Sequence, residues 1–427
     1  MLDNWSRMLN MSLHGATLGT RFIFIFFLAK YLDPASVGYY GLFTAAVGYA
    51  IYFVGLDFYI YVTREIIKTP VNERGQLLKS QAALSGILYI VLWPLAFAFL
   101  YHSEWPEQLV WWFFPILLLE HFNQEMSRFL VAMSAQITAS FILFIRQGSW
   151  AIVIVSLMTW NTPSRNLDSV FALWAMAGLA AAAVGIWKLQ QLRMGGWGAA
   201  INWAWVKKGI RVSLAFLVAT LALRGMQTID RYWLEALGGI EMVGAYVILL
   251  GVAGTLMAFL DAGVFAFAYP VLIRLAHQQD HAASKVKVRQ MLTQTLVLSA
   301  AFAVCSWLAL PYLLNWIDNP IYLRAQHWYP WLMMAMVLNA LSMVPHFALY
   351  ARGQDRHIIY SHISSLAVFV LTVWALSRTH AALAVPIGLN MAFGCILIWK
   401  TTAYLLRVTQ PPSQQSKTMP PVVTPNA

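Results

Sequence analysis

Three arginines stand inside otherwise apolar, helix-length stretches: Arg21 in LGTRFIFIFF, Arg146 in FILFIRQGSW and Arg224 in LALRGMQTIDRYW. An arginine at the centre of a spanning helix costs about 2.5–3.5 kcal/mol to insert, so such a residue normally faces protein interior or a water-filled path. Residue counting puts all three near mid-depth, and they converge if their helices line one cavity. A planar guanidinium fork binds phosphate oxygens bidentately, so the chemistry on offer is capture of a phosphate or diphosphate. A second reading stays open from sequence alone: each arginine pairs with a carboxylate and ties helices together.

The acids and histidines of the same stretches supply proton chemistry. In LEHFNQEMSRFL, His121 and Glu125 are four apart and share a helix face, while Glu125 and Arg128 are three apart and form a structural lock. A desolvated carboxylate near mid-membrane can take and release a proton, which makes Glu120 with His121 the expected coupling site. Asp57 and Asp261 sit toward the cytoplasmic mouth of two related helices, where they either gate through loop cations or form fixed salt bridges. His102, His277, His281, His357 and His380 fall in loops or at helix ends and match no metal template, so no metal is expected. Cys305 and Cys395 lie in apolar runs and read as small hydrophobes, not as a disulfide.

The elements that must position these groups are membrane helices. Of 427 residues, 60% are hydrophobic and 11% charged, with mean hydropathy +0.63, against about 45–50% and about 25% in soluble domains. Apolar runs of about 20 residues recur from end to end. They predict an all-α membrane protein of about twelve spans, near 11–31, 38–63, 81–101, 109–130, 137–159 and 168–188, then 211–233, 244–267, 291–314, 329–351, 359–378 and 383–405. Two pseudo-symmetric six-helix lobes, 1–190 and 211–406, are expected around a central cationic cavity. An interfacial linker helix over 191–210 joins them, because Trp197, Trp203 and Trp205 lie beside Lys207 and Lys208. The Pro-, Gln- and Ser-rich stretch 407–427 reads as a disordered cytoplasmic tail.

The repeat shows in paired signals. Val37-Gly38 is echoed by Val243-Gly244, Leu56-Asp57 by Leu260-Asp261, and Phe114-Pro115 by Tyr329-Pro330. An even number of spans per copy gives both copies one orientation. The formal charge of +11 is accounted for by one set of loops, from Arg64 and Lys68 through Lys207 and Lys208 to Arg352 and Arg356. The opposite loops hold mainly Lys30, Arg165, Arg231, Arg324 and Arg378. This is the positive-inside pattern with both termini cytoplasmic, and it needs no nucleic-acid partner. The short N-terminus before a span-length run reads as an uncleaved anchor. No phosphate loop, G-x-S-x-G elbow or HExxH pair occurs, and an enzyme is not expected.

The opening FFLAKYLDPASVGYYGLF, the early intramembrane arginine and the second-half echo resemble the Wzx-type polysaccharide flippases. These belong to the superfamily that also contains multidrug and toxin extrusion antiporters and the lipid II flippase. The resemblance implies a bacterial inner-membrane protein that moves an undecaprenyl-diphosphate-linked oligosaccharide of O-antigen or lipopolysaccharide type between leaflets. It implies an ion gradient, most simply of protons, in place of a cofactor. Membrane lipids, a polymerase and a chain-length regulator are the implied partners. Arg21 and Arg224 match the family's tendency to place a cation in the first and seventh helices, whereas Arg146 rests on its buried position alone. The alternatives are a cation or drug antiporter of the same superfamily and a membrane polymerase or ligase, which would need a long outer loop.

Overall fold

The computed structural model describes residues 2–102 and 105–408. From residue 409 onward the expected tail lies outside the described residues. The described residues are mostly helical: α1 (Leu2–Tyr31), α2 (Pro34–Gly55), α3 (Tyr59–Lys68), α4 (Arg74–Tyr101), α5 (Glu107–Ala132), α6 (Gln136–Phe144), α7 (Trp150–Trp160), α8 (Leu167–Gln191), α9 (Trp203–Gly238) and α10 (Ile240–Leu260). Then follow α11 (Ala266–His277), α12 (His281–Ile317), α13 (Pro320–Ala325), α14 (Tyr329–Ala351), α15 (Asp355–Leu376) and α16 (Ala381–Val408). π-helical turns, Ile145–Ser149 and Asp261–Phe265, join α6 to α7 and α10 to α11.

Among the described residues ten helical stretches are long and apolar enough to cross a membrane, or eleven if α9, which bends by 49° after Leu214, crosses as one. The expected fourth span corresponds to α5. At 26 residues it is long enough, ~39 Å, yet it carries Glu107, Glu120, His121, Glu125 and Arg128. Its polar groups are spent inside the protein, since Glu120, His121 and Asn123 are all buried. α4 and α12 instead expose Ile90, Leu95, Phe99, Val297, Leu308 and Tyr312, the apolar surface that lipid would cover.

Two compact units divide the chain. The first holds Met1–Glu235 with Gly239–Ile248, so it takes in α9 as far as Glu235 and the opening of α10, beyond the 190/211 division read from sequence. The echoed Val-Gly pairs explain this. A Cβ at Gly38 would collide with the Ile240 carbonyl oxygen, and one at Gly244 with the Pro34 carbonyl, so α2 and α10 touch backbone to backbone through the two glycines. Small residues that let helices approach closely are the common device of membrane packing. Gly244→Val is expected to destabilise the protein by about 1–3 kcal/mol, because the obstacle is rigid backbone. Unfolding in mixed detergent micelles measures it, and an unchanged midpoint would mean that the crossing yields.

Local chemistry sets the breaks. Asp33 caps α2, its Oδ1 accepting the Ser36 amide at 2.9 Å, with Pro34 in the first turn. The echoed Leu-Asp pairs both mark interruptions. Leu56 and Asp57 turn left-handed at φ 49° and 51° between α2 and α3, whereas Asp261 opens the π turn after α10. The expected linker helix is not formed over 192–202. The Gly195-Gly196 pair, with φ +87° at Gly196, breaks the helix, and the non-helical segment spends backbone carbonyls on α4. The Gly75 amide donates to Gly195 O at 2.8 Å, Lys79 Nζ to Ala199 O at 2.8 Å, and Gln76 Nε2 to Ala200 O at 2.8 Å. Trp205 packs on Phe58 and Tyr61, while Trp197 and Trp203 stay exposed.

The second unit takes Ala236–Gly238 and the chain from Leu249. Its core lies along α14, α15 and α16, where Trp328, Tyr329, Phe369 and Phe393 are fully buried.

Candidate functional site

The π turn Ile145–Ser149 organises the first unit's polar groups. A π turn inserts one residue into the helical ladder and re-aims its neighbours. Arg146 and Gln147 thereby serve two different helices. Arg146 Nη1 donates to the Glu120 carbonyl oxygen on α5 at 3.1 Å and lies 3.5 Å from Glu120 Oε2. Gln147 Oε1 accepts from Arg21 Nη1 on α1 at 3.0 Å. Trp174 of α8 donates its indole N–H to Glu120 Oε1 at 2.8 Å and stacks on Trp150 at 5.6 Å. Tyr40, Phe43 and Phe171 complete this aromatic wall.

The three arginines therefore divide. Arg146 is 5% exposed and Glu120 6%, a dry ion pair inside the bundle. Of the two readings of Arg146 the structure takes the second, because a guanidinium held against Glu120 behind tryptophans has little left for a ligand. Arg21 is exposed and lies within electrostatic reach of Arg146. Arg224 is exposed on α9 elsewhere, with Nη1 3.2 Å from Gln227 Oε1 and its guanidinium 5.8 Å from the Tyr52 ring centre. Among the described residues neither Arg21 nor Arg224 is paired with a carboxylate.

Glu120 and His121 are not a pair. Adjacent residues on a helix point apart, and His121 Nδ1 meets the Tyr89 hydroxyl of α4 at 2.8 Å, its Nε2 facing Gly55. The expected lock forms: Arg128 Nη1 donates to Glu125 Oε1 at 2.7 Å, Gln81 Nε2 donates to Oε2 at 2.7 Å, and the Arg128 guanidinium covers the Tyr59 ring at 3.5 Å. Asp57 is buried, its Oδ2 without a hydrogen-bond partner, and it feels Arg128, Glu125 and Arg224. Asp261 is exposed. The two aspartates thus share a place in the repeat but not an environment. A cavity of about 380 Å³ lies against α4 and α5, lined mainly by apolar side chains with Gln81, Tyr89, His121 and Glu125; none of the three arginines lines it.

Sequence reading missed two groupings. Asp230 is buried, accepting from the Tyr246 hydroxyl at 2.5 Å, and Arg231, expected in an outer loop, donates to Gly41 O at 2.7 Å. In the second unit Lys400, His346 and His362 meet inside the bundle. Each lies within an expected span, so the signal of an intramembrane ionisable residue was present for all three. Among the described residues no group of three His, Cys, Asp or Glu is arranged to hold a metal.

This arrangement of helices has the fold of the MATE transporters of the MOP superfamily, the superfamily to which the sequence resemblance points. An inward-facing multidrug resistance MATE family transporter of that superfamily matches with a TM-score of 0.75 at 12% identity, over 93% of this chain and 94% of that one. The MATE transporter ClbM in complex with Rb+ matches at 0.59 and 14%, over 96% and 95%. A MOP superfamily transporter from Pyrococcus furiosus, described by a binding pocket of reverse polarity, matches at 0.63 and 12%, over 94% of each chain. At these identities the likeness is one of fold. No protein-family model and no curated protein sequence matches the chain.

Proposed function

We propose that this chain is a membrane transporter that flips an undecaprenyl-diphosphate-linked oligosaccharide from the cytoplasmic to the periplasmic leaflet of a bacterial inner membrane. The supporting observation is the pair of exposed guanidiniums, Arg21 and Arg224, each bonded to a neutral glutamine. Intramembrane arginines are normally neutralised by a partner, so two left with full charge invite an anionic ligand. A diphosphate head cannot cross about 30 Å of hydrocarbon unaided, and a flippase must offer it fixed positive charge in a wet groove while the lipid tail stays outside. Ion-coupled alternating access fits the repeat. Both termini are then cytoplasmic, and a polymerase and a chain-length regulator act on the delivered glycan. The Pyrococcus furiosus transporter, described by its reversed pocket polarity, supports the idea that this fold serves more than one class of cargo.

The second reading, a cation or drug antiporter, draws on the multidrug transporter of like fold and on the exposed carboxylate of Asp261. Reconstituted vesicles separate the two. The expected result is accelerated exposure of an undecaprenyl-diphosphate-linked glycan to an external lectin, with no uptake of a fluorescent organic cation. The opposite pattern selects the antiporter.

A further inference from the structure

The cavity against α4 and α5 has no part in the proposed capture of a diphosphate. Its volume of about 380 Å³ falls in the range, about 300–1,000 Å³, of sites that hold organic ligands. Its lining covers 78–89 on α4 and 118–129 on α5, which is ~16 Å along each helix. The two helices run antiparallel, since Gln81 meets Glu125 and Tyr89 meets His121. The cavity is therefore a slot parallel to the spans. Its length matches one leaflet, half of the ~30 Å of hydrocarbon.

Two features keep the slot open and apolar. A Cβ at Gly86 would meet nothing within 4 Å, so neither a close crossing nor a left-handed turn calls for glycine there. Glycine weakens a helix relative to alanine, and what its presence leaves at this position is room. The polar groups of the wall are already spent on protein. Glu125 accepts from Gln81 and from Arg128, each at 2.7 Å, and the Tyr89 hydroxyl meets His121 at 2.8 Å. Most of the remaining wall is Leu, Phe and Met side chain. Ala82, Leu118 and Phe122 line the slot and are exposed as well, so it opens on the apolar surface beside Ile90, one helical turn from Gly86. Water in such a slot finds few partners, whereas a hydrocarbon chain gains the contacts of a packed interior.

One end of the slot is cationic. Leu189 and the exposed Trp197 line it near the start of α4, and tryptophan suits the membrane interface. Lys79 follows Leu78 and donates to the Trp197 carbonyl at 3.2 Å and to the Ala199 carbonyl at 2.8 Å. An ammonium has three donors, so Lys79 keeps one for a further acceptor, and the carbonyls leave its charge in place. Lys188 precedes Leu189 and is exposed, its Nζ 3.3 Å from the neutral Gln191. Arg193 is exposed on the same rim, so the cations there outnumber the acid Glu73. A phospholipid with an anionic head supplies both halves of this chemistry: a chain one leaflet long, and a phosphate that lysines attract at a membrane surface. An undecaprenyl tail is far longer than the slot.

We infer that the slot between α4 and α5 binds an anionic phospholipid, with one acyl chain lying along Gly86 and the head resting on Lys79 and Lys188. Such a lipid binds the folded protein and so stabilises this unit. The test uses the purified, delipidated full chain in detergent micelles and a phosphatidylglycerol whose acyl chain carries a diazirine. Photolabel is expected on 78–89 and 118–129, and unlabelled phosphatidylglycerol should displace it at about tenfold lower concentration than phosphatidylcholine. Gly86→Leu fills the slot with a side chain that suits both helix and membrane. It is expected to cut labelling there about fivefold while leaving labelling of the exposed face of α12 unchanged. Lys79→Gln with Lys188→Gln keeps an N–H for the two carbonyls, and is expected to retain the label but lose the preference for phosphatidylglycerol. Slot labelling no stronger than that of α12, or undiminished in Gly86→Leu, means ordinary bilayer contact and overturns the proposal. Displacement by both lipids at one concentration, or a preference kept in the double lysine variant, overturns it too. Should Gly86→Leu fail to insert, Ala82→Leu at the mouth carries the same expectation and the same refutation. Labelling is read without a glycan substrate, so its failure leaves the flippase reading standing, and failed flipping leaves the lipid site standing.

Discussion

On the proposed flippase reading, cells carrying Arg21→Ala or Arg224→Ala as their only copy are expected to lose surface polysaccharide while the protein inserts at wild-type levels. The loss follows from what each guanidinium touches. Arg21 is bonded to Gln147 and Arg224 to Gln227, both neutral, and both arginines are exposed. Removing them leaves no buried charge unpaired, so the fold should tolerate the change. A charge-assisted bond to a phosphate oxygen contributes about 1.5–3 kcal/mol, and its loss weakens capture of the head group about 10- to 150-fold at each position. Arg21→Lys restores charge without the planar fork and is expected to recover export in part. The measurement is surface glycan against membrane-inserted protein in the same cells. Normal glycan in both alanine variants would remove the two arginines from the substrate path.

Glu120→Ala is expected to do the opposite kind of damage, costing about 3–5 kcal/mol of stability. Arg146 is 5% exposed, its Nε already lacks a hydrogen-bond partner, and Glu120 supplies both its carboxylate and its carbonyl to the guanidinium. Taking away the carboxylate strands a cation beside Trp150 and Trp174. The double variant Glu120→Ala with Arg146→Met should recover most of the loss, since a buried pair replaced as a whole is often close to neutral. Trp174→Phe, which removes one donor and keeps the ring, should cost only about 1 kcal/mol. Denaturant titration of the four proteins in detergent reads all of this. A Glu120→Ala midpoint equal to wild type would mean that water reaches Arg146.

The amino-acid sequence by itself determined the solvent and the element type. Twenty-residue apolar runs permit only membrane helices here, and Asp33-Pro34 ends α1 by removing a donor and capping the next helix. The Val-Gly echo was legible because a close helix crossing leaves no room for a side chain, and that demand is written as glycine. What the tertiary structure alone decided is which polar group meets which. Arg21, Arg146 and Arg224 look alike in sequence, yet a π turn of five residues sends Arg146 to Glu120 and gives Arg21 only Gln147. Glu120 and His121 are neighbours in the chain and are held by different helices. Lys400, His346 and His362 are up to 54 residues apart and share one interior. Periodicity reports whether a residue suits lipid or protein, because burial is a property of a helix face. Partnership depends on how separate helices are rotated against one another, which long-range packing sets.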